Sequence, residues 1–461
     1  MQRIEIKDLQ KTYQSHADQI ITVCGWTRTI RDSKNIAFVE LNDGAFKGVQ
    51  MVVERDKVAN YDEIVKQNVG SSFCVKGKLL LTPNAQQPFE INAVEVEVLG
   101  ESAADYPLQK KGHSIEYLRT MPTLRPRTNL FNAIFRIRSV SAFAIHKFFN
   151  ERNFVYLNTP IITANDCEGA GEMFQVTTLD LDRVASSGKV DYSRDFFGKK
   201  VSLTVSGQLH EECITHAFGK TYTFGPTFRA ENSNTSRHAA EFWMMEPEIC
   251  FCDINELMDN EEEMIKYVIS YVMKECRDEI EFLNKFVDKG LIARLTNIVE
   301  SDFVRLDYTE AIKMLEKVKD KFTFPVSWGV DLQSEHERYI TEEIFKKPVF
   351  LMNYPKDIKA FYMRQNDDGK TVAAVDLLVP GVGELIGGSQ REERLDKLTA
   401  RIQELGLNEE DYSWYINTRR YGTNVHSGYG LGFERLVMYL TGVSNIRDVE
   451  LFPRTVGGIQ G

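Results

Sequence analysis

No stretch of this sequence carries the eighteen or so consecutive apolar residues that a membrane-spanning helix needs. The first ten residues, MQRIEIKDLQ, lack the apolar core of a secretory leader, so a cytoplasmic location and no membrane partner are expected. Cysteine is sparse: seven in 461 residues, an odd number scattered over positions 24, 74, 167, 213, 250, 252 and 276. That spacing builds neither a disulfide framework nor a Cys-x2-Cys zinc site. Cys250 and Cys252, one residue apart on an apolar stretch, read as packing. Positive charge is also short, with 56 Lys and Arg against 67 Asp and Glu and a net charge of −11. A protein coated in basic surface is excluded, but a local stripe of Arg and Lys is not.

The usual glycine-rich nucleotide signatures are missing as well. There is no GxxxxGK[ST] and no strand-linked GxGxxG; Gly428-Tyr429-Gly430-Leu431-Gly432 has the wrong spacing for a dinucleotide fingerprint. His210-Glu211-Glu212-Cys213-Ile214 resembles a zincin only superficially, because position 214 is not His. A nucleotide enzyme of this sequence must hold phosphates with side chains. No internal repeat or low-complexity tract is visible.

What is there divides near residue 110. Apolar residues make up 43% and charged residues 27% of the chain, the make-up of a globular protein of two to four domains. Residues 1–105 contain five short alternating or β-branched runs: CGWTRTIRD, NIAFVELND, KGVQMVV, SSFCVKGKLL and FEINAVEVEVLG. Gly, Asn, Asp or Pro falls between them, which predicts a five-stranded OB-fold barrel. Residues 106–129, with Pro107, Pro122 and Pro126, read as a hinge. From residue 130 to 461 the texture is α+β. A helix is predicted at 131–150, with Phe131, Ile134, Ile137, Val140, Ala144 and Phe148 on one stripe and Phe135 and Phe143 off it. A helix apolar over more than half its girth needs two partners, so a subunit interface is expected there. It leads into a strand, VYLNTP, stopped by Pro160; residues 254–288 read as a second helical stretch.

Residues 224–248 are where the phosphate chemistry concentrates. Two apolar strands, TYTFGPTFRAE and EFWMMEPEICF, flank a polar loop. Arg229 and Glu231 share one face at period two, as do Phe242, Met244 and Glu246 on the return strand. Arg229, Arg237 and His238 can surround a polyphosphate while Phe242 stacks on a base. A surface hairpin with ordinary ion pairs fits the same residues.

That segment resembles motif 2 of the class II aminoacyl-tRNA synthetases. The helix and strand ending at Pro160 resemble motif 1, and Gly428–Leu436 (GYGLGFERL) resembles motif 3, carrying Arg435. With a barrel in front, the order is similar to the subclass charging Asp, Asn and Lys. EGAGEMF, FGPTFRAENSNTSRH, GVDLQSEHERY and GELIGGSQREER together resemble its bacterial asparagine-charging branch over nearly the whole chain.

The resemblance implies a catalytic domain with a mostly antiparallel sheet flanked by helices, a homodimer, and a two-step reaction. ATP activates L-asparagine as an adenylate with loss of pyrophosphate, and the asparaginyl group passes to the terminal ribose of tRNA(Asn). By the same resemblance Arg229 holds the α-phosphate and carboxylate, and Glu231 belongs to the ATP site. Phe242 stacks under adenine, while Arg237, His238 and Arg435 take the outer phosphates. Mg2+ falls to Glu384 with Ser389 near it, and Asp376 is either a supporting group or a solvated strand end. Glu168, Gln208, Glu212, Glu246 and Arg391 make the amino-acid pocket. Ser206 is placed to cap the helix that carries Gln208 and Glu212 at i and i+4. Arg391 suits aspartate and asparagine alike, so Glu212 and Glu246 are expected to discriminate. Glu211 stands where the aspartate-charging relative has Lys and is read as solvated. Arg28, Phe38 and Gln50 fall where the subclass reads the anticodon, although Phe38 also suits a barrel core.

Three rival readings stay open. One is an aspartyl-charging enzyme of the same subclass, though the larger bacterial forms need an inserted domain that 461 residues do not accommodate. Another is an ATP-dependent asparagine synthetase, which would lack the barrel. The last is a silent RNA-binding paralogue, against which Arg229, Glu231, Glu384 and Arg435 argue.

Overall fold

The computed structural model describes residues 3–85, 87–109, 112–167 and 172–459. The chain forms two compact units, residues 1–133 and 134–461, and residues 106–129 fall within the first. Among the described residues no helix is long and apolar enough to cross a membrane.

The first unit is built on five strands: β1 (Ile20–Asp32), β2 (Ile36–Asn42), β3 (Val49–Glu54), β4 (Ser72–Leu81) and β5 (Phe89–Gly100). They close into a barrel in the order β1-β2-β3-β5-β4, the OB-type solution the five runs predict. Period-two alternation sorts the side chains. Val23, Ala37, Val39, Leu41, Met51, Phe73 and Ile91 point inward, and a preceding helix, Ile6–Thr12, adds Ile6 and Leu9 to the same core. Each such fully buried side chain contributes roughly 1.5–3 kcal/mol. Phe38 lies between Ala37 and Val39 and is absent from that core, so it belongs to the outer face.

The second unit is built around an eight-stranded sheet. Helix α1 (Asn129–Glu151) leads in and spans the predicted 131–150. The strands are β6 (Val155–Leu157), β7 (Lys220–Phe228), β8 (Glu241–Cys250), β9 (Val304–Asp307), β10 (Val349–Pro355), β11 (Thr371–Val379), β12 (Gly383–Gln390) and β13 (His426–Gly432). Their order is β9-β10-β11-β12-β13-β8-β7-β6. Only the two outermost pairs, β9/β10 and β6/β7, are parallel; the five inner pairs are antiparallel. Helix α2 (Gln208–Phe218) precedes the β7–β8 hairpin and α3 (Ile254–Glu275) follows it. An Asp253–Glu256 capping box starts α3, satisfying two N–H groups reciprocally at the helix end. Helix α4 (Ser334–Arg338) stands before β10, and α5 (Phe433–Thr441) follows β13. Cys250 and Cys252 are buried free thiols, as packing requires.

Candidate active site

The β7–β8 hairpin sets the site. Its register runs from Lys220↔Ile249 to Phe228↔Glu241, which leaves residues 229–240 as the polar loop. The Arg229 N–H donates to the Ala240 carbonyl at 2.9 Å and closes the loop's neck. The Arg229 guanidinium carbon lies 5.3 Å from the centroid of the Phe242 ring, a cation–π approach that fixes both groups.

A cavity of about 380 Å3 opens here, lined by Arg229, Glu231, Arg237, His238, Phe242, Glu384 and Arg435. Every residue assigned to ATP from the sequence is thereby brought to one wall or another of the same space. Arg435 reaches in from α5, its Nη1 donating to the Glu384 carbonyl at 2.9 Å. Arg237 donates to Ser334 Oγ at 3.1 Å and to the Val382 carbonyl at 3.3 Å. Burial, and then the charges of Arg435 and Arg338, lower the Arg237 pKa. Arg229, Arg237, His238 and Arg435 give a polyphosphate several positively charged or hydrogen-bonding donors, while Glu231, Asp331, Glu337, Glu384 and Glu434 line the same space.

A second cavity, of about 310 Å3, adjoins the first and shares Arg229, Met244, Glu384 and Gly430 with it. Gln208, Glu246 and Arg391 line it, as the sequence predicts, together with Ser206, Lys359, Tyr362 and Asp376. The N-cap of α2 is Gly207, one residue later than expected, yet Ser206 Oγ still accepts the Gln208 N–H at 3.1 Å. The Ser206 hydroxyl donates to one oxygen of Glu246, and the Gly207 N–H donates to the other at 3.0 Å. Burial raises the Glu246 pKa, and those two donors oppose the rise.

Three placements differ from the sequence reading. Glu211 is fully buried rather than solvated: Oε1 accepts from Thr221 at 2.9 Å and Oε2 has no hydrogen-bond partner. Burial, and then the neighbouring Glu248 and Glu246, push its pKa well up. It faces inward because α2 packs on β7 and β8 through that side, which one-residue helical offsets alone cannot show. Glu212 lines neither cavity. It accepts from Tyr415 at 2.9 and 2.8 Å, from His426 Nε2 at 2.8 Å and from Arg419 Nη2. Burial works against its charge, but Arg419 and His426 outweigh burial and hold the carboxyl well below the usual range. Ser389 also lines neither cavity; its Oγ is fully buried and accepts from Arg391 Nη1 at 2.8 Å. Glu168 lies outside the described residues.

Two contributors escaped the sequence reading. Arg391 forms a forked pair with Glu248, its Nε at 3.2 Å from Oε2 and its Nη2 on Oε1. Burial opposes the Arg391 charge, Glu248 more than offsets it, and the guanidinium pKa is raised. Glu248 shares a strand face with Glu246 at period two, and that spacing was the available signal. Lys359 donates to Asp376 Oδ2 at 2.8 Å inside the second cavity. A lone lysine in KDIKAFYM carries no motif that marks it.

A Cβ added to Gly387 would lie 3.2 Å from Glu384 Oε1 and 3.4 Å from Asp376 Oδ1, so the two carboxylates converge over this glycine. They are hard oxygen donors of the kind magnesium takes, one or two at a time, with water and phosphate completing the shell. No cluster of three or more metal-ligating side chains exists among the described residues. On the barrel, Phe38 and Gln50 share the outer face, since Glu40 pairs with Gln50 and is two residues from Phe38. Arg28 donates to the Arg127 carbonyl.

Two family models match the chain: tRNA synthetases class II (D, K and N) over residues 114–456, and an OB-fold nucleic acid binding domain over residues 21–99. The chain is 60% identical over 458 residues to an asparagine–tRNA ligase of Clostridium botulinum (strain Hall), with 99% of each chain covered. It is 61% identical over 459 residues to an asparagine–tRNA ligase of Desulfitobacterium hafniense (strain Y51), again with 99% of each covered. Among solved structures it matches asparaginyl-tRNA synthetase from Pyrococcus horikoshii complexed with asparaginyl-adenylate. That match has a TM-score of 0.86 at 31% identity, covering 99% of this chain and 98% of the other.

Proposed function

Because the chain belongs to the class II tRNA synthetases of the D, K and N group, we infer that it ligates L-asparagine to tRNA(Asn) in two steps. The observation that carries this reading is the pair of adjoining cavities joined at Arg229 and Glu384, one lined by Arg229, Arg237, Arg435 and Phe242 and one by Glu246 and Arg391. An asparagine α-carboxylate oxygen attacks the α-phosphorus of ATP, the bond to the β-phosphate oxygen breaks, and pyrophosphate leaves. A ribose hydroxyl at the tRNA 3′ end then displaces AMP from the adenylate. Such chemistry needs placement and charge neutralisation rather than a protein nucleophile.

In this reading Arg229 steers the α-phosphate and the incoming carboxylate, since it alone among the cations lines both cavities. Arg237, His238 and Arg435 receive the outer phosphates, Glu231 contacts the nucleotide and Phe242 offers a face to adenine. Glu384 with Asp376 would hold Mg2+, which neutralises phosphate charge when bound. Gln208, Glu246 and Arg391 hold asparagine, with Glu168 on its ammonium group. Glu246 accepts from an amide NH2 and repels a second carboxylate, so it favours asparagine over aspartate. Glu212 acts from behind, pairing with Arg419 and hydrogen-bonding His426.

Residues 1–105 read the anticodon through Arg28, Phe38 and Gln50, residues 106–129 form the hinge, and residues 130–461 carry the chemistry. A base stacked on a half-buried outer-face ring such as Phe38 contributes roughly 1–3 kcal/mol. The enzyme works as a cytoplasmic homodimer. β6 ends the large sheet and exposes Val155 and Tyr156, and Phe143 on α1 is 58% exposed. A bare apolar sheet edge invites pairing unless another chain covers it. Sedimentation at micromolar concentration should give twice the 52.9 kDa chain, and a fully active monomer would refute the dimer.

Pyrophosphate exchange with asparagine and aspartate in parallel, with and without tRNA, tests the function. Asparagine should support exchange without tRNA, and equal exchange with aspartate would overturn the assignment.

A further inference from the structure

One carboxylate in the wall of the nucleotide cavity reaches the main chain of another. Glu337, on α4, lines that cavity beside Glu384 and Arg435. Its Oε2 accepts the Glu384 backbone N–H at 3.0 Å, while Arg435 Nη1 donates to the Glu384 carbonyl at 2.9 Å. Both polar groups of the Glu384 main chain are therefore held by side chains from distant segments.

The neighbouring geometry was made for this contact. Gly383 has φ +89°, and a Cβ there would come within 2.2 Å of Glu337 Oε2. Only glycine both adopts that conformation without strain and leaves the carboxylate its place. A second glutamate completes the hold: Glu342 Oε1 accepts the Gly381 N–H at 2.8 Å. Glu337 and Glu342 are five residues apart, which on an α-helix would set them about 140° from one another. Here α4 runs on into a π-helical turn, Tyr339–Ile344, closed by Phe345 N–H donating to the Ile340 carbonyl at 3.1 Å. Both carboxylates reach the β11–β12 connection, Glu342 at Gly381 in the loop and Glu337 at Glu384, the second residue of β12.

We propose that Glu337 is a positioning residue for ATP: as an acceptor for the Glu384 N–H, it fixes the β11–β12 turn so that Glu384 faces the nucleotide. The proposal rests on the reading of this cavity as the ATP site. The contact asks only for an acceptor at the right reach, so Glu337→Gln keeps it, whereas Glu337→Asp draws the acceptor back by one methylene and Glu337→Ala removes it.

The test is pyrophosphate exchange by the full-length protein, with KM and kcat measured separately for ATP and asparagine. Glu337→Ala and Glu337→Asp should lower kcat/KM for ATP at least tenfold and leave KM for asparagine within twofold. Glu337→Gln should stay within threefold of wild type in both. Circular dichroism and melting establish that each variant folds, and Glu337→Asp carries the test if Glu337→Ala does not fold. Wild-type ATP kinetics in Glu337→Asp, or a defect in Glu337→Gln as deep as in Glu337→Asp, would overturn the proposal. Glu384→Gln runs alongside: unchanged ATP kinetics in that variant overturn the reading of the cavity itself. A defect in Glu384→Gln with none in Glu337→Asp overturns only the positioning role.

Discussion

The two cavities meet at Arg229 and Glu384, yet they handle charge in opposite ways. In the nucleotide cavity the cations keep contact with solvent: the Arg435 side chain is 42% exposed, holds the Glu384 carbonyl and lies 3.9 Å from the Glu384 carboxylate, and Arg237 donates to Ser334 Oγ and the Val382 carbonyl. Around the amino-acid cavity the charges are sealed and matched. Arg391 is 4% exposed against a fully buried Glu248, and Arg419 and Glu212 are both fully buried. An open cation keeps its attraction for an incoming phosphate. A buried forked pair has already satisfied its charge and offers shape and hydrogen-bonding direction instead. The first arrangement gains grip on a highly charged ligand, and the second gains selectivity between two nearly isosteric amino acids. Four expected outcomes would sharpen or break this contrast.

The largest effect belongs to the sealed side. Glu212→Ala leaves Arg419 buried without its counter-charge, and breaking such a pair costs about 3–5 kcal/mol. Denaturant unfolding should show that loss; a shift under 1 kcal/mol would mean the cluster is not energetically sealed.

Arg435→Ala acts on the open side. It should leave the unfolding curve in place while adenylate formation falls about a hundred- to thousand-fold, as for other single groups that stabilise transition-state charge. Wild-type exchange in this variant removes Arg435 from the site.

Glu246→Gln replaces the acceptor that faces the second cavity and removes its charge. The ratio of kcat/KM for asparagine over aspartate should fall at least tenfold, about 1.4 kcal/mol, because the repulsion that excludes a substrate carboxylate is gone. Glu212→Gln, walled off from the cavity, should change that ratio less. The reverse ranking would return discrimination to Glu212.

The smallest effect is a pH dependence. Burial pushes the Glu211 pKa well up in the folded chain, whereas on unfolding the group returns to an ordinary value near ~4.3. The unfolded form then binds fewer protons, so this group's contribution to stability is full below that value and is lost as pH rises towards the folded pKa. Glu211→Gln has no such loss. Its melting temperature should gain on wild type between pH 5 and pH 8, and a gap that stays constant over that range would show Glu211 to be ionised in the fold.

Local pattern was enough for much of this molecule. Five alternating runs close into the barrel because strand period and turn residues act within ten or so positions. The β7–β8 hairpin, the loop between its strands and the GLGFERL strand–helix were readable for the same reason, and every ATP residue named from them lines one cavity. The outward placement of Phe38, left open by its sequence, follows from Ala37 and Val39 taking the inward positions of β2.

Sequence alone was therefore enough for the fold class and for the side chains that line the first cavity. What tertiary structure alone decided was the protonation and direction of each carboxylate among Glu211, Glu212, Glu246 and Glu248. The first two are adjacent on one helix, yet burial pushes the pKa of Glu211 well up while that of Glu212 is held well below the usual range. The difference comes from partners that the chain supplies much later: the Arg419 guanidinium and the His426 ring reach Glu212 across 207 and 214 residues. A carboxylate's charge in a buried site is set by what lies within a few ångströms of it, and only folding brings segments so far apart to that distance.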